Sequence, residues 1–238
     1  MNAPDLLNAA NEPALLAELN RRLSRQSAAA RVDWALAHLP GGFALSSSFG
    51  AQAAVSLHLL TQRQPDLPVI LIDTGYLFPE TLHFVEHLRE RLALNLQVRQ
   101  ALLSPAQMER RYGALWQQGH DAIRFYNRIR KVEPMQQALA ELGVNTWFAG
   151  IRRQQSSSRQ HIEILERRDG RWKVHPLADW RDRDIGQYLQ RFDLPYHPLW
   201  QQGYVSIGDT HSTQPWRVGM REEDTRFAGL LRECGLHA

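Results

Sequence analysis

The chain has 238 residues, 43% of them hydrophobic, with Lys+Arg 28 against Asp+Glu 25. That is enough for one well-cored α/β domain or two small ones. The excess of basic residues is too small and too scattered for a nucleic-acid footprint, although cations gathered in one place would suit a small polyanion. No apolar run approaches a membrane span, and Met1 to Leu7 lacks the basic-then-apolar pattern of a secretory signal.

In chain order, residues 1–30 read as a polar helical arm at the periphery, with Leu15, Leu16, Leu19 and Leu23 at helical spacing. A helix over Arg31 to His38 stops at Pro40-Gly41-Gly42. Phe43 to Ser46 reads as a buried strand and Ala51 to Gln62 as a helix. Pro68 to Ile72 is a β-branched strand bounded by turn residues. Pro79 to Leu92 follows as a helix with proline in its first turn. Asn95 to Arg99 is a third strand; helices are predicted over 104–112 and 120–142, and Thr146 to Ala149 is a fourth strand. Ile162 to Leu165 and Trp172 to His175 flank Asp169-Gly170, a hairpin signal. Asp182 to Phe192 is a helix, and from Pro195 onward the chain reads as ordered loop. Strands alternating with helices predict a Rossmann-like α/β fold, a mostly parallel sheet flanked by helices.

In such a sheet, ligands bind beyond the carboxyl ends of the strands. Three polar segments fall there: Ser46-Ser47-Ser48-Phe49-Gly50, Asp73-Thr74-Gly75 and Gly150-Ile151-Arg152-Arg153. The serine loop precedes a helix, where free N–H groups, three hydroxyls and a permissive Gly50 make a phosphate cradle. It has neither the Walker A lysine nor the G-x-G-x-x-G spacing. The same residues also fit an ordinary turn with an N-cap. Asp73 fits either a ribose or purine contact or a turn aspartate.

Cys234 is the only cysteine. An internal disulfide and a four-thiolate zinc or iron–sulfur site within one chain are therefore excluded. With no secretory signal, this predicts a reducing, cytoplasmic compartment. Cys234 lies in the polar segment Glu233-Cys234-Gly235-Leu236-His237, where chain ends tend to be mobile. It is either idle or chemically active.

Ser46 to Gln52, Asp73 to Thr81, Lys131-Val132-Glu133-Pro134, Gly150 to Ser156 and Glu233 to His237 occur in this order. Together they resemble the thioredoxin-dependent phosphoadenosine phosphosulfate (PAPS) reductases, from about Arg31 to the C-terminus. The resemblance implies an adenine-nucleotide α-hydrolase-like fold in which the serine loop is a modified PP-loop. It also implies a division into an arm (1–30), a sulfonucleotide-binding α/β domain (31–220) and a mobile C-terminal catalytic tail (221–238), one structural domain overall. Cys234 is then the catalytic nucleophile. The substrate-binding residues expected are Ser46, Ser47, Ser48, Gly50, Gln52, Asp73, Thr74, Gly75, Lys131, Gly150, Arg152, Arg153, Gln154, Arg159 and His237.

The related adenylyl-sulfate reductases carry a four-cysteine iron–sulfur cluster. Here Tyr126 and Asn127 stand at one cysteine pair, and the other falls near Asp209 and Ser212. All four ligands are missing, which implies a cluster-free enzyme with no bound cofactor or metal. Where relatives often carry arginine, Gln214 and Pro215 follow Thr213, with Arg217 as the nearest substitute. The implied partners are reduced thioredoxin (or glutaredoxin) as electron donor, a small sulfonucleotide and a second copy of the chain, with no nucleic acid and no membrane.

The implied reaction is attack by the Cys234 thiolate on the sulfate sulfur of PAPS, leaving a thiosulfonate that thioredoxin resolves to sulfite. The obstacle is charge: an anion must approach a polyanion. Lowering the thiol pKa from about 8.5 to 7 raises the thiolate roughly 15-fold at neutral pH. Falling nucleophilicity cancels most of that gain. Neutralising cations matter more, with Lys131, Arg152, Arg153, Arg159 and His237 as candidates and Arg226 and Arg232 as weaker ones. A tail that closes over substrate and reopens for the donor fits this position of Cys234; protection of the tail from proteolysis on adding the bisphosphate product tests it.

Two alternatives remain open: a cluster-free adenylyl-sulfate reductase and a non-catalytic adenine-nucleotide-binding protein. A PP-loop adenylating enzyme is disfavoured because the loop lacks Ser-Gly-Gly-x-Asp-Ser. His83 and His87 lack the glutamate of a zinc helix. The scattered tryptophans read as packing.

Overall fold

The computed structural model describes residues 13–229. Its helices are α1 (Pro13–Ser24), α2 (Ala28–His38), α3 (Ala53–Thr61), α4 (Pro79–Arg91), α5 (Pro105–Tyr112), α6 (His120–Asn127), α7 (Glu133–Glu141) and α8 (Asp182–Arg191). The strands are β1 (Phe43–Ser46), β2 (Pro68–Asp73), β3 (Asn95–Gln100), β4 (Thr146–Ala149), β5 (Leu165–Arg168) and β6 (Arg171–Val174). Short 3₁₀ turns fill much of the segment after Pro195.

The strands form one sheet in the order β3-β2-β1-β4-β6-β5, parallel except for β5 against β6. The central strands are apolar on both faces because helices cover both. Leu45, Val69, Leu71 and Phe148 pack in the larger core with α2, α3 and α4, while Ala44, Ile70, Ile72 and Trp147 pack against Met135, Ala138 and Leu139 of α7. From β1 the chain builds outward to β2 and β3, then returns to place β4 on the other side of β1. That reversal makes a crevice at the carboxyl ends of β1 and β4. Ser46 pairs with Ala149, so the serine loop and Gly150 emerge side by side.

The hairpin turn is Asp169-Gly170, with both residues at positive φ (48° and 75°), as a two-residue turn requires. The strand before it starts at Leu165 rather than Ile162. Ile162 and Ile164 are buried in the core but precede the ladder. The helix predicted over 120–142 is interrupted by a π-helical turn, Arg128–Val132, in which the N–H of Glu133 reaches the carbonyl of Arg128. Pro134 supplies the reason: its ring would crowd the carbonyl four residues earlier in a regular helix.

The expected peripheral arm needs correction over α1. Leu19 and Leu23 are buried in the main core, and Asn20 is buried against β5. Its leucines repeat at helical spacing because they face the domain. The tail residues Cys234 and His237 lie outside the described residues.

Candidate functional site

A cavity of about 330 Å³ opens at the crevice between β1 and β4. One wall is the serine loop. Ser46 Oγ accepts a hydrogen bond from the indole of Trp147 at 2.7 Å, and Ser47 Oγ accepts one from the N–H of Phe49 at 3.1 Å. The residue at positive φ in this loop is Phe49 rather than Gly50. Phe49 has φ 49° and is fully buried, so packing of its ring holds a backbone conformation unusual for a bulky residue. Gly50 lies on the cavity wall, where an added Cβ would meet no atom closer than 3.7 Å. The glycine leaves room for a ligand rather than serving the protein's own packing. No side chain caps the N-terminus of α3. Gln52, at the cap position, spends its amide oxygen on Arg152 at 2.6 Å.

The opposite wall is cationic. Arg152 is 3% exposed; its guanidinium also donates to Asp182 Oδ1 at 2.9 Å. Arg159, from a 3₁₀ turn, lines the cavity with Gln155 as hydrogen-bond partner at 2.7 Å. Lys131 enters from the π-helical turn, its ammonium 2.6 Å from Asp209 Oδ2. Burial opposes ionisation of Asp209, but Lys131 and the Thr74 hydroxyl outweigh it and hold the carboxyl well below the usual carboxylate range. Arg226 completes this side, its guanidinium lying over Gly208.

Of the sequence candidates, Ser46, Ser47, Ser48, Gly50, Gln52, Thr74, Lys131, Gly150, Arg152 and Arg159 converge on this cavity. Four others do not line it. Asp73 accepts from the N–H of Gly75 at 2.8 Å and from Gln100 Nε2 at 2.7 Å, so it shapes the turn. Gly75 has φ 76° and abuts Pro105, which makes it a turn residue too. Arg153 bonds the carbonyl of Ile162 at 2.8 Å and lines a separate depression with Gln154. Gln154 accepts from the N–H of Asp182 at 3.3 Å. Arg217 is exposed and takes no part in the cavity.

Sequence reasoning missed Asp209, Asp182 and Glu222, which line the cavity, and Tyr126 and Arg130 behind it. Buried Arg130 donates to the carbonyls of Thr74 and Leu103, tying the loop after β2 to the π-helical turn. The available signal was Arg130-Lys131 inside an otherwise helical pattern followed by proline. Among the described residues, no group of His, Cys, Asp and Glu side chains could hold a metal ion. A loop-helix cradle facing buried cations suits a nucleotide with several anionic groups.

The comparisons agree with this architecture. A phosphoadenosine phosphosulfate reductase domain matches residues 42–215. A phosphoadenosine 5′-phosphosulfate reductase of Alkalilimnicola ehrlichii is 58% identical over 240 residues, covering 99% of this chain and 98% of the relative. One of Xanthomonas campestris is 63% identical over 219 residues, covering 92% and 91%. The crystal structure of phosphoadenylyl-sulfate (PAPS) reductase from Candida auris, a phosphate complex, superimposes with a TM-score of 0.73 at 29% identity over 85% of this chain and 98% of that one. Candida glabrata FMN adenylyltransferase, with a TM-score of 0.58 at 18% identity over 88% of this chain and 74% of that one, shares the fold alone. With a matched domain spanning most of the chain and close relatives covering nearly all of it, this protein belongs to the phosphoadenosine phosphosulfate reductase family.

Proposed function

We propose that this chain reduces 3′-phosphoadenylyl sulfate to sulfite and adenosine 3′,5′-bisphosphate, with Cys234 as nucleophile and a dithiol protein such as thioredoxin as donor. The observation that carries the reading is the cavity, with the uncapped loop-helix cradle on one wall and Lys131, Arg152, Arg159 and Arg226 on the other. Ser47 and Ser48 cradle the nucleotide phosphate, and the cations neutralise the phosphosulfate as the thiolate arrives. Arg226 is eight residues from Cys234 in sequence. At up to about 3.6 Å per residue, a chain of that length is long enough for the thiol to reach the cavity.

The Cys234 thiolate attacks the sulfate sulfur. The bond from that sulfur to the bridging oxygen breaks, and the electron pair leaves with the bisphosphate. The product is Cys234–S–SO₃⁻. A donor thiolate then attacks Cys234 Sγ, sulfite departs, and the donor's second thiol resolves the mixed disulfide. The two electrons of the dithiol end on the sulfur released as sulfite. A single cysteine supports a cluster-free mechanism, since four thiolates cannot come from one chain. Cytoplasmic action fits the need for a reduced donor. No described helix is long and apolar enough to cross a membrane.

Mass spectrometry after incubation with PAPS and no reductant tests the reading. A labile sulfonate on the Cys234 peptide, released as sulfite by reduced thioredoxin, is the expected result. An unmodified peptide from enzyme active in the complete assay would overturn it.

A further inference from the structure

Asp209 is an unexpected neighbour for a polyanion. It lines the cavity yet is 1% exposed. A carboxylate beside the substrate adds repulsion, and burying it costs several kcal/mol unless its oxygens are partnered. They are partnered: Oδ1 accepts from Thr74 Oγ1, while Oδ2 accepts from Lys131 Nζ at 2.6 Å and Tyr126 Oη at 3.1 Å. Burial and Asp209 push the Tyr126 phenol well above its ordinary range, so it keeps its proton and donates it to Asp209. His211 Nε2, 3.0 Å from the same phenol oxygen, is therefore the donor to it. Trp116 stacks on the His211 ring at 3.9 Å and fixes that end.

This scaffold converges on one movable charge. Lysine is a point charge on a flexible four-carbon stem, and a free ammonium would need ordering as the reaction proceeds. Asp209 takes one of the three ammonium protons and leaves the others for a ligand. The Tyr126 ring, 5.6 Å from Nζ, bounds the ammonium on another side.

We propose that Asp209 is a positioning residue: its buried carboxylate, set by Thr74 and Tyr126, fixes the Lys131 ammonium where the phosphosulfate develops charge. The proposal rests on the reductase reading. It makes a prediction opposite to that of charge alone. By charge alone, Asp209→Asn removes a repulsive anion and strengthens binding and turnover. Under the positioning role, bisphosphate affinity is unchanged or tighter while kcat falls by about 10²-fold.

The test compares wild type, Asp209→Asn, Lys131→Ala and the double variant, measuring kcat, KM and bisphosphate affinity by calorimetry, with folding checked by circular dichroism. Asp209→Asn should lose kcat, and the double variant should be no slower than Lys131→Ala within about twofold, since both remove the same oriented charge. Tyr126→Phe removes one bond to Asp209 and should cost about three- to tenfold in kcat, an effect that vanishes in the Lys131→Ala background. It decides the matter if Asp209→Asn does not fold. Wild-type kcat in Asp209→Asn, or losses that multiply in the double variants, would overturn the positioning role. If Lys131→Ala itself turned over normally, the assignment of Lys131 to the substrate site would fail instead; absent sulfite production by wild type would refute the reductase reading.

Discussion

The carboxamide of Asn20 completes the hydrogen bonding of Leu165 at the open edge of the sheet. Nδ2 donates to the Leu165 carbonyl at 2.8 Å, and Oδ1 accepts from the Leu165 N–H at 2.9 Å. One side chain of α1 thus acts as the strand that β5 lacks. Asn20→Ala would leave two buried backbone groups unpaired, at a cost of about 1–3 kcal/mol. The urea midpoint should fall while kcat of the folded enzyme stays at the wild-type level. An unchanged midpoint would show that water serves Leu165 equally well.

Gly150 sets how closely β4 approaches α3. A Cβ there would lie 2.6 Å from Ser56 Oγ and 2.8 Å from Ser56 Cβ. Gly150→Ala should therefore destabilise by about 1–3 kcal/mol through overpacking, and the displaced wall should also lower turnover. Ser56→Gly opens the space, so the double variant should be more stable than the two single losses predict. Simple additivity in thermal denaturation would refute this contact as the cause.

Gly208 carries the Arg226 guanidinium against its Cα. A Gly208→Ala methyl must expel that group, which is cheap for the fold because a flexible side-chain end moves. Expected are a Tm close to wild type and a kcat/KM lower on the order of tenfold, the scale of a misplaced substrate contact. Full kcat/KM in Gly208→Ala would remove Arg226 from the substrate's surroundings.

Histidine 197 links stability to pH. Its Nδ1 accepts from the N–H of Leu199 at 3.1 Å, so Nε2, 2.9 Å from Thr81 Oγ1, carries the proton of the neutral ring. Burial lowers its pKa from the model-compound 6.5 to about 4, against a small opposing pull from Glu80. Between those two values the unfolded chain binds more protons than the folded one, so stability falls as pH drops from about 6.5 towards 4. Denaturation at pH 7 and pH 5 should show the loss, and His197→Asn should show a smaller one. Equal pH slopes in the two proteins would exclude His197 as a contributor.

Much of this was legible locally. Pro68 to Ile72 spells a strand buried on both faces, and Asp169-Gly170 spells its turn, because both are decided by near neighbours. Ser46, Ser47, Ser48, Gly50, Thr74, Gly150 and Arg152 could be expected at the cavity because a parallel sheet gathers its loops at one edge, whereas Gln52, Lys131 and Arg159 were expected there only through the family resemblance. Arg152 and Arg153 show the limit. They are identical and adjacent, but the backbone at Arg152 is extended (φ −132°, ψ 148°), which sends consecutive side chains to opposite sides. Asp209 lay beyond reach for another reason: Thr74 is 135 positions away and Tyr126 is 83. Nothing in Gly208-Asp209-Thr210 announces a buried carboxylate, and only tertiary packing creates one.

The widened turn at Arg128–Val132 has a consequence for how this segment tolerates change. It offsets the helical phase between α6, which buries Ile123 and Tyr126, and α7, which buries Met135 and Leu139. One more residue there would rotate one apolar stripe by about 100° relative to the other, at 3.6 residues per turn, because the wide turn already absorbs the single extra residue it can. Either the sheet would lose its cover or the phenol beneath the ammonium would swing aside. The number of residues between Tyr126 and Met135 is therefore constrained more tightly than the identity of exposed ones such as Arg128, and a single-codon insertion should harm the enzyme where an exchange at that position would pass unnoticed.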